Sequence, residues 1–185
     1  MAESQGRARP ARYVPDVALP PYSYVTGRSP HPTGDPRGHS FGHTWIAEKA
    51  PDTENWRDSR EYLLGIDLFN HGYYWEAHEV WEAAWNACGR RGLTADFIKG
   101  LIKLAAAGVK AREGRPEGVH RHATRAAQLF ENTLAAHLDR TGTFFGLNLA
   151  ELIGHAHHLK AAQPCQAADS HEVVPVLGVE LSPII

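Results

Sequence analysis

A histidine and two glutamates that could bind a metal ion lie within one short segment of the chain. His78 precedes Glu82 by four residues, and Glu79 stands between them. On a helix, residues three and four apart share a face, so these side chains fall in one sector. Imidazole nitrogen and carboxylate oxygens suit zinc, manganese or iron. The spacing predicts a divalent metal bound by His78 and Glu82, with Glu79 as general base and Trp85 walling the site.

The same segment also has a purely structural interpretation. Glu76, Glu79 and Glu82 are residues that the solvent-facing side of an amphipathic helix commonly carries. His78, at the seam between the polar and apolar arcs, would then bond a neighbour at the edge of the core. An enclosed, partly dry space around the imidazole and the carboxylates would favour the metal site over a solvated face.

Three lysines form a second candidate cluster. Lys99, Lys103 and Lys110 are separated by four and seven residues, which keeps them on one helix face. They could bind an anionic substrate, pair with Glu79 and Glu82 across a helix interface, or face water. The sequence leaves these alternatives open.

Histidines elsewhere offer further ligands. His31 and His39 lie in a segment rich in proline and glycine, and could complete the metal shell begun on the helix, because open catalytic sites draw ligands from several elements. Alternatively, they make ordinary hydrogen bonds within an irregular arm. Glu151, His155 and His158 have helical metal-ligand spacing, but their sector lies opposite an apolar stripe. We expect that second set to point away from the core.

Amphipathic helices must position these side chains. Prolines almost vanish between residues 52 and 162, and apolar residues recur at intervals of three and four. The fold class is therefore all-α, a bundle of about five helices. Their predicted limits are Asp52 to Asn70, Tyr74 to Cys88, Thr94 to Arg112, Pro116 to Leu138, and Asn148 to Ala162.

The flanking segments have a different character. Eight of the twelve prolines fall at or before Pro51, which predicts an extended, Pro/Gly-rich N-terminal arm over residues 1–51. Such an arm could drape over a helix face as a pocket lid. The helical domain spans residues 52–162, and residues 163–185 form a short extended C-terminal tail. We expect its segment 173–177 to pack back on the domain or to serve a neighbour.

Composition excludes several classes of function. The formal net charge is −2, from 19 basic and 21 acidic side chains, so no global field favours nucleic acid or an anionic membrane. No apolar run approaches the ~18 residues of a membrane helix. The cysteines, Cys88 and Cys165, are far apart and fit a reducing compartment. We predict a cytoplasmic protein with no nucleic-acid or membrane partner, and homo-oligomers remain possible.

One stretch carries a family resemblance. The segment FNHGYYWEAHEVWE from Phe69, then Trp85, then GLIKLAA from Gly100, resembles domain-of-unknown-function family 309. The resemblance covers roughly residues 60 to 135. It implies a small all-helical fold and metal-dependent hydrolase activity. Lys103 and Lys110 stand where many members are expected to have glutamine and histidine, and a protonated lysine is a poor metal ligand.

The motif residues of this family correspond here to Asn70, Gly72, Glu76, His78, Glu79, Glu82 and Trp85. Together with the spacing arguments, they give a set of expected roles: catalytic for Glu79 and Glu76; metal ligands for His78, Glu82, His39 and His31; and other pocket positions for Asn70, Trp85, Lys103 and Lys110. The first functional hypothesis is a metal-binding protein or metal-dependent hydrolase. The second is a non-catalytic helical module that binds a small anion or a protein partner.

Overall fold

The computed structural model describes residues 10–137, 141–161 and 173–184. In these residues it contains five α-helices: α1 Arg60–Asn70, α2 Tyr74–Ala87, α3 Leu93–Arg112, α4 Pro116–Ala136 and α5 Leu149–Ala161. A short 3-10 helix, Trp56–Asp58, precedes α1. An antiparallel hairpin of β1 (Thr143–Phe144) and β2 (Leu147–Asn148) precedes α5. The predicted all-α bundle is confirmed.

Local chemistry sets the limits of the first helix. Ser59 is its N-cap, because the Ser59 hydroxyl accepts a hydrogen bond from the backbone N–H of Tyr62. The helix therefore begins at Arg60, later than the sequence predicts, while Asp52 closes a separate turn upstream. At the other end Gly72 takes a φ of +87°, which suits the residue just past a helix, as expected.

Consecutive helices pack on one another, so α3 lies between α2 and α4. The centre of the core is aromatic, and its fully buried rings include Tyr62, Phe69, Trp81, Phe97 and Phe130. Gly65 lets Trp81 of α2 approach α1 closely, since a Cβ on this glycine would collide with the indole ring. The Trp81 Nε1 also donates to the carbonyl oxygen of Tyr62 at 3.1 Å, which fixes the ring in place.

The hairpin before α5 caps one end of this core. Its Phe144 and Phe145 are buried, and the Phe144 ring lies 5.0 Å from that of Phe97. The hydroxyl of Tyr62 donates to the carbonyl oxygen of Phe145 at 2.7 Å. The sequence analysis did not predict this element, because strands of two residues are too short to show an alternating pattern.

The N-terminal arm is attached to α1 through a buried carboxylate. Asp67 is fully buried, and it accepts hydrogen bonds from Arg12 Nε at 3.0 Å and from the backbone N–H groups of Tyr13 and Val14, each at 2.8 Å. Three donors, one of them cationic, compensate for the burial of this charge. The described arm, residues 10–51, contains no helix or strand and lies along the helices through such contacts.

The C-terminal tail also packs back on the bundle, which was one of its two predicted arrangements. The Asn70 side chain pairs with the backbone of Leu181, and the Tyr74 hydroxyl accepts from the N–H groups of Val176 and Leu177. Leu177 and Leu181 are themselves buried. Arm and tail therefore both attach to the junction between α1 and α2.

Candidate metal centre

Helix α2 brings His78, Glu79 and Glu82 together. His78 Nδ1 lies 3.3 Å from Glu79 Oε1 and 3.9 Å from Glu82 Oε2. One ligand atom from each residue lies within 4.8 Å of the other two, and in residues 10–137, 141–161 and 173–184 this is the one group of three with that property. The single-helix spacing thus places these side chains together, as the sequence predicts.

The donor set of this cluster fits a divalent metal ion. It offers one imidazole nitrogen and two carboxylate oxygens, a combination that zinc, manganese and iron accept. The side chains are 29%, 32% and 38% exposed, in chain order, so water reaches all three. With Glu79 kept as a base, His78 and Glu82 would leave coordination positions for water or substrate, as catalytic sites require. The enclosed, partly dry space that was expected to favour a metal site is therefore not found around these three side chains.

The lysines of α3 do not pair with these carboxylates. Lys99 places its Nζ 3.6 Å from the centre of the Trp85 ring, a cation–π contact, and Lys110 forms an ion pair with Glu113 at 2.6 Å. Burial lowers the pKa of Lys99, the charges of Lys103 and Arg90 lower it further, and Glu82 opposes them. Trp85, which the sequence predicts to wall the metal site, therefore carries the Lys99 ammonium group over the face of its ring.

Helix α4 contributes a histidine that the sequence analysis missed. His122 is half-buried, and burial lowers its pKa from 6.5 to about 4, with further lowering by the charges of Lys103, Arg121, Lys110 and His78. It is therefore neutral at pH 7, and the charges that act on it come from α2, α3 and α4. Gly118, one turn before His122, was the sequence signal that α4 lies close to α3 here. A Cβ at this glycine would collide with the Lys110 side chain.

Glu76, one of the two predicted catalytic residues, is engaged by the arm. It is 4% exposed, and it accepts hydrogen bonds from the Ser23 hydroxyl at 3.1 Å and the Tyr24 N–H at 2.9 Å. His39 Nε2 lies 3.2 Å from the same carboxylate and His39 Nδ1 lies 2.8 Å from the Ser40 hydroxyl. The geometry makes Glu76 an anchor for the arm on the first turn of α2.

The other histidine predicted as an arm ligand, His31, packs against rings. Its ring centre lies 4.9 Å from that of Tyr24 and 5.3 Å from that of Trp75, and its Nδ1 accepts from the Gly34 N–H at 3.1 Å. Neither His31 nor His39 belongs to the three-residue cluster on α2. The structure does not group Glu151, His155 and His158 in that way either.

Comparison with known proteins gives one match. Residues 62–122, about a third of the chain, match the family described as Domain of unknown function (DUF309). The family predicted from the motif is thus confirmed over these residues, which include the cluster on α2 and His122. Neither curated proteins nor solved structures gave a match. In the described residues, no helix combines the length and apolar character needed to cross a membrane.

Proposed function

We propose that this chain, whose residues 62–122 match the DUF309 family, binds a divalent metal ion on α2 and uses it for hydrolysis. The observation that carries the proposal is the convergence of His78, Glu79 and Glu82, with ligand atoms within 4.8 Å and open to water. Residues one and four apart on a helix lie this close by geometry, so the chemistry of the donors carries the proposal together with their position. The chemical class of the donors supports zinc, manganese or iron.

Each residue of the cluster has a distinct role in this proposal. His78 and Glu82, one helical turn apart, bind the ion through imidazole nitrogen and carboxylate oxygen. A bound ion would supply Lewis acidity toward a water molecule or a substrate oxygen. Glu79 accepts a proton at its carboxylate oxygen, a role that its 32% exposure permits. Glu76 takes no part in the chemistry, since its oxygens already accept hydrogen bonds from the arm.

Neighbouring cations limit the affinity of the site. The charge of Glu82 acts on Lys99, and Lys103 lies close enough to Lys99 to lower its pKa. The positive charge of these lysines opposes the binding of a divalent cation. Water and salt screen this repulsion, because the site is partly exposed.

A second candidate is the non-catalytic module for a small anion or a protein partner. The observation that favours it is that α3 presents positive charge beside the α2 cluster, while none of its lysines pairs with Glu79 or Glu82 among the described residues. In this case the glutamates act only as hydrogen-bond acceptors. Metal binding separates the two candidates, since the second requires none.

The test is a metal titration of untagged protein by calorimetry, with manganese and zinc. We expect one ion per chain, with affinity about tenfold lower or worse in His78→Ala and in Glu82→Ala. His157→Ala is the matched control, because His157 Nε2 also lies 3.1 Å from a glutamate, Glu131, but with only that one partner. Absence of binding in the parent protein, or equal binding in all variants, would rule out the metal site.

Hydrolysis is tested separately with two generic substrates, p-nitrophenyl phosphate and p-nitrophenyl acetate. Glu79→Gln keeps the shape of the side chain but removes its basicity, so turnover should fall by about a hundredfold or more. Glu76→Gln, a matched change at the neighbouring carboxylate, should leave turnover within about twofold of the parent's if the arm stays in place. A larger loss from Glu76→Gln than from Glu79→Gln would reverse the two roles proposed here.

A further inference from the structure

We propose that a cleft at the turn between α3 and α4 binds a diphosphate group through Lys110, Arg115 and Arg121. We call this cleft the turn cleft. Its volume is about 450 Å³, and these three residues and Glu117 are the charged residues that line it. The site goes beyond the proposed metal chemistry, because no residue of the α2 cluster is among its lining residues.

A single carboxylate holds two of the cations side by side. Glu113 Oε2 lies 2.6 Å from Lys110 Nζ and 3.5 Å from Arg115 Nε, and the Glu113 side chain is only 5% exposed. Its other oxygen accepts a hydrogen bond from the Thr26 hydroxyl at 2.9 Å. Burial raises the pKa of Glu113, but the hydrogen bonds from Lys110 and Thr26 outweigh burial, so the pKa is lowered. One ionised carboxylate therefore positions two positive charges.

Helix packing also restricts Lys110. A Cβ at Gly118 of α4 would lie 2.7 Å from Lys110 Cγ, so the aliphatic stem of this lysine lies close to the α4 backbone. The stem is therefore ordered before a ligand arrives. Binding then costs less side-chain entropy than it would at a freely moving surface lysine.

Positive charge is in excess at the turn cleft. The lining residues carry three cations and one carboxylate, that of Glu117. When the charge of Glu113 is added, one positive charge still has no counterpart. Within the described part of the chain, no carboxylate lies within 4.0 Å of the Arg121 guanidinium group. An anion can therefore bind Arg121 without first breaking an ion pair.

The arrangement of the cations suits two linked phosphate groups. Lys110 and Arg115 share one acceptor, so their nitrogens are close enough to bind the oxygens of one phosphate group. Arg121 lies six residues beyond Arg115, or about 9 Å along the axis of α4, where a second phosphate group would meet it. None of the lining residues is aromatic, so the cleft offers no ring on which a nucleobase could stack.

The first experiment titrates the whole chain, in metal-free buffer, with pyrophosphate, phosphate and acetate, followed by calorimetry. We expect pyrophosphate to bind about tenfold more tightly than phosphate, because it alone reaches both cationic positions. Acetate should bind more weakly than either. ADP, which carries the same diphosphate group on a nucleoside, should bind no more tightly than pyrophosphate.

Substitutions test the assigned contacts. Arg115→Gln and Arg121→Gln should each weaken pyrophosphate binding about tenfold. Glu117→Gln removes the opposing charge and should strengthen binding severalfold. Arg125→Gln is the matched control, because it makes the same change at an exposed arginine one turn beyond Arg121 that does not line the cleft, and it should bind like the parent.

Several results would overturn the inference. Undetectable pyrophosphate binding, or equal affinity in Arg121→Gln and the parent, excludes the turn cleft as the site. Equal affinity for pyrophosphate and phosphate excludes the diphosphate group, and tighter binding of ADP requires a nucleoside contact that the cleft does not offer. An equal loss in Arg125→Gln would show that the net charge of α4, and not the cleft, attracts the anion.

Discussion

Asn70 and Leu181 are joined by two hydrogen bonds that use both polar groups of the asparagine side chain. Asn70 Nδ2 donates to the carbonyl oxygen of Leu181 at 2.8 Å, and the N–H of Leu181 donates to Asn70 Oδ1 at 2.8 Å. The side-chain amide of Asn70 therefore satisfies both backbone polar groups of Leu181, as a neighbouring β-strand would. Asn70, the motif position for which the sequence analysis predicts a place in a pocket, thus holds the tail.

Replacing Asn70 should weaken the fold. In Asn70→Ala the buried N–H and carbonyl groups of Leu181 lose their partners, and we expect the free energy of unfolding to fall by about 2–4 kcal/mol. Equilibrium urea unfolding measures the change. Asn86→Ala is the control, because the exposed Asn86 side chain bonds only Arg90 among the described residues, and it should change stability by less than about 0.5 kcal/mol. Equal effects of the two substitutions would contradict the role of Asn70.

Removing the Glu76 carboxylate should detach the middle of the arm. Glu76→Ala deprives Ser23, Tyr24 and His39 of their shared acceptor. Trypsin should then cleave after the exposed Arg28 about tenfold faster or more, because cleavage requires local opening of the arm. Mass spectrometry of early time points identifies the cut.

The control for this experiment is Glu79→Ala, which removes a carboxylate three residues away that the arm does not contact. It should leave the cleavage rate unchanged. Rapid cleavage after Arg28 in the parent protein, or no acceleration in Glu76→Ala, would show that Glu76 does not hold the arm.

The stability of the protein should depend on pH through His122. Its pKa is lowered to about 4 in the folded chain from an ordinary value of 6.5, so between these values the unfolded chain binds a proton that the native chain does not. Stability therefore falls as pH falls from about 6.5 to about 4, and this contribution is flat above that window. Partial exposure of the ring reduces the size of the effect.

Two measurements check this pH dependence. NMR titration of the imidazole C–H signals should give a pKa near 4 for His122. In His122→Gln the unfolding free energy should vary less between pH 4 and 6.5 than in the parent, whereas His157→Gln, at an exposed site, should retain the parent's dependence. Titration of His122 close to 6.5 would contradict the lowered pKa and the pH dependence that follows from it.

The sequence predicted the helices well because their apolar spacing persists over several turns. The helices α1 and α3 end at Asn70 and Arg112 as predicted, each shortly before a glycine with positive φ, Gly72 or Gly114. The start of α1 was misplaced since Asp52 and Ser59 are equally good capping residues, and only packing decides between them. Local patterns therefore predict that a helix exists more reliably than they predict its first residue.

Within the candidate site, only contacts inside one helix could be predicted. The cluster on α2 follows from spacings of one and four residues. The contact of His39 with Glu76 joins residues 37 positions apart, and that of Lys99 with Trp85 depends on how α3 packs against α2. Periodicity within one helix does not specify how separate elements pack, so the sequence revealed neither His122 nor the contacts of Glu76 with the arm.

The junction between α1 and α2 also determines how short a fragment of this chain can be. The family-matched span holds the acceptors Asp67 and Glu76 and the paired Asn70, whereas their partners belong to residues 12–39 and to Leu181. A recombinant fragment of residues 62–122 would leave the side chains of Asp67, Glu76 and Asn70 without these partners in apolar surroundings. Water would then enter the junction between α1 and α2. Fragments for biophysical work should therefore begin before Arg12 and continue past Leu181.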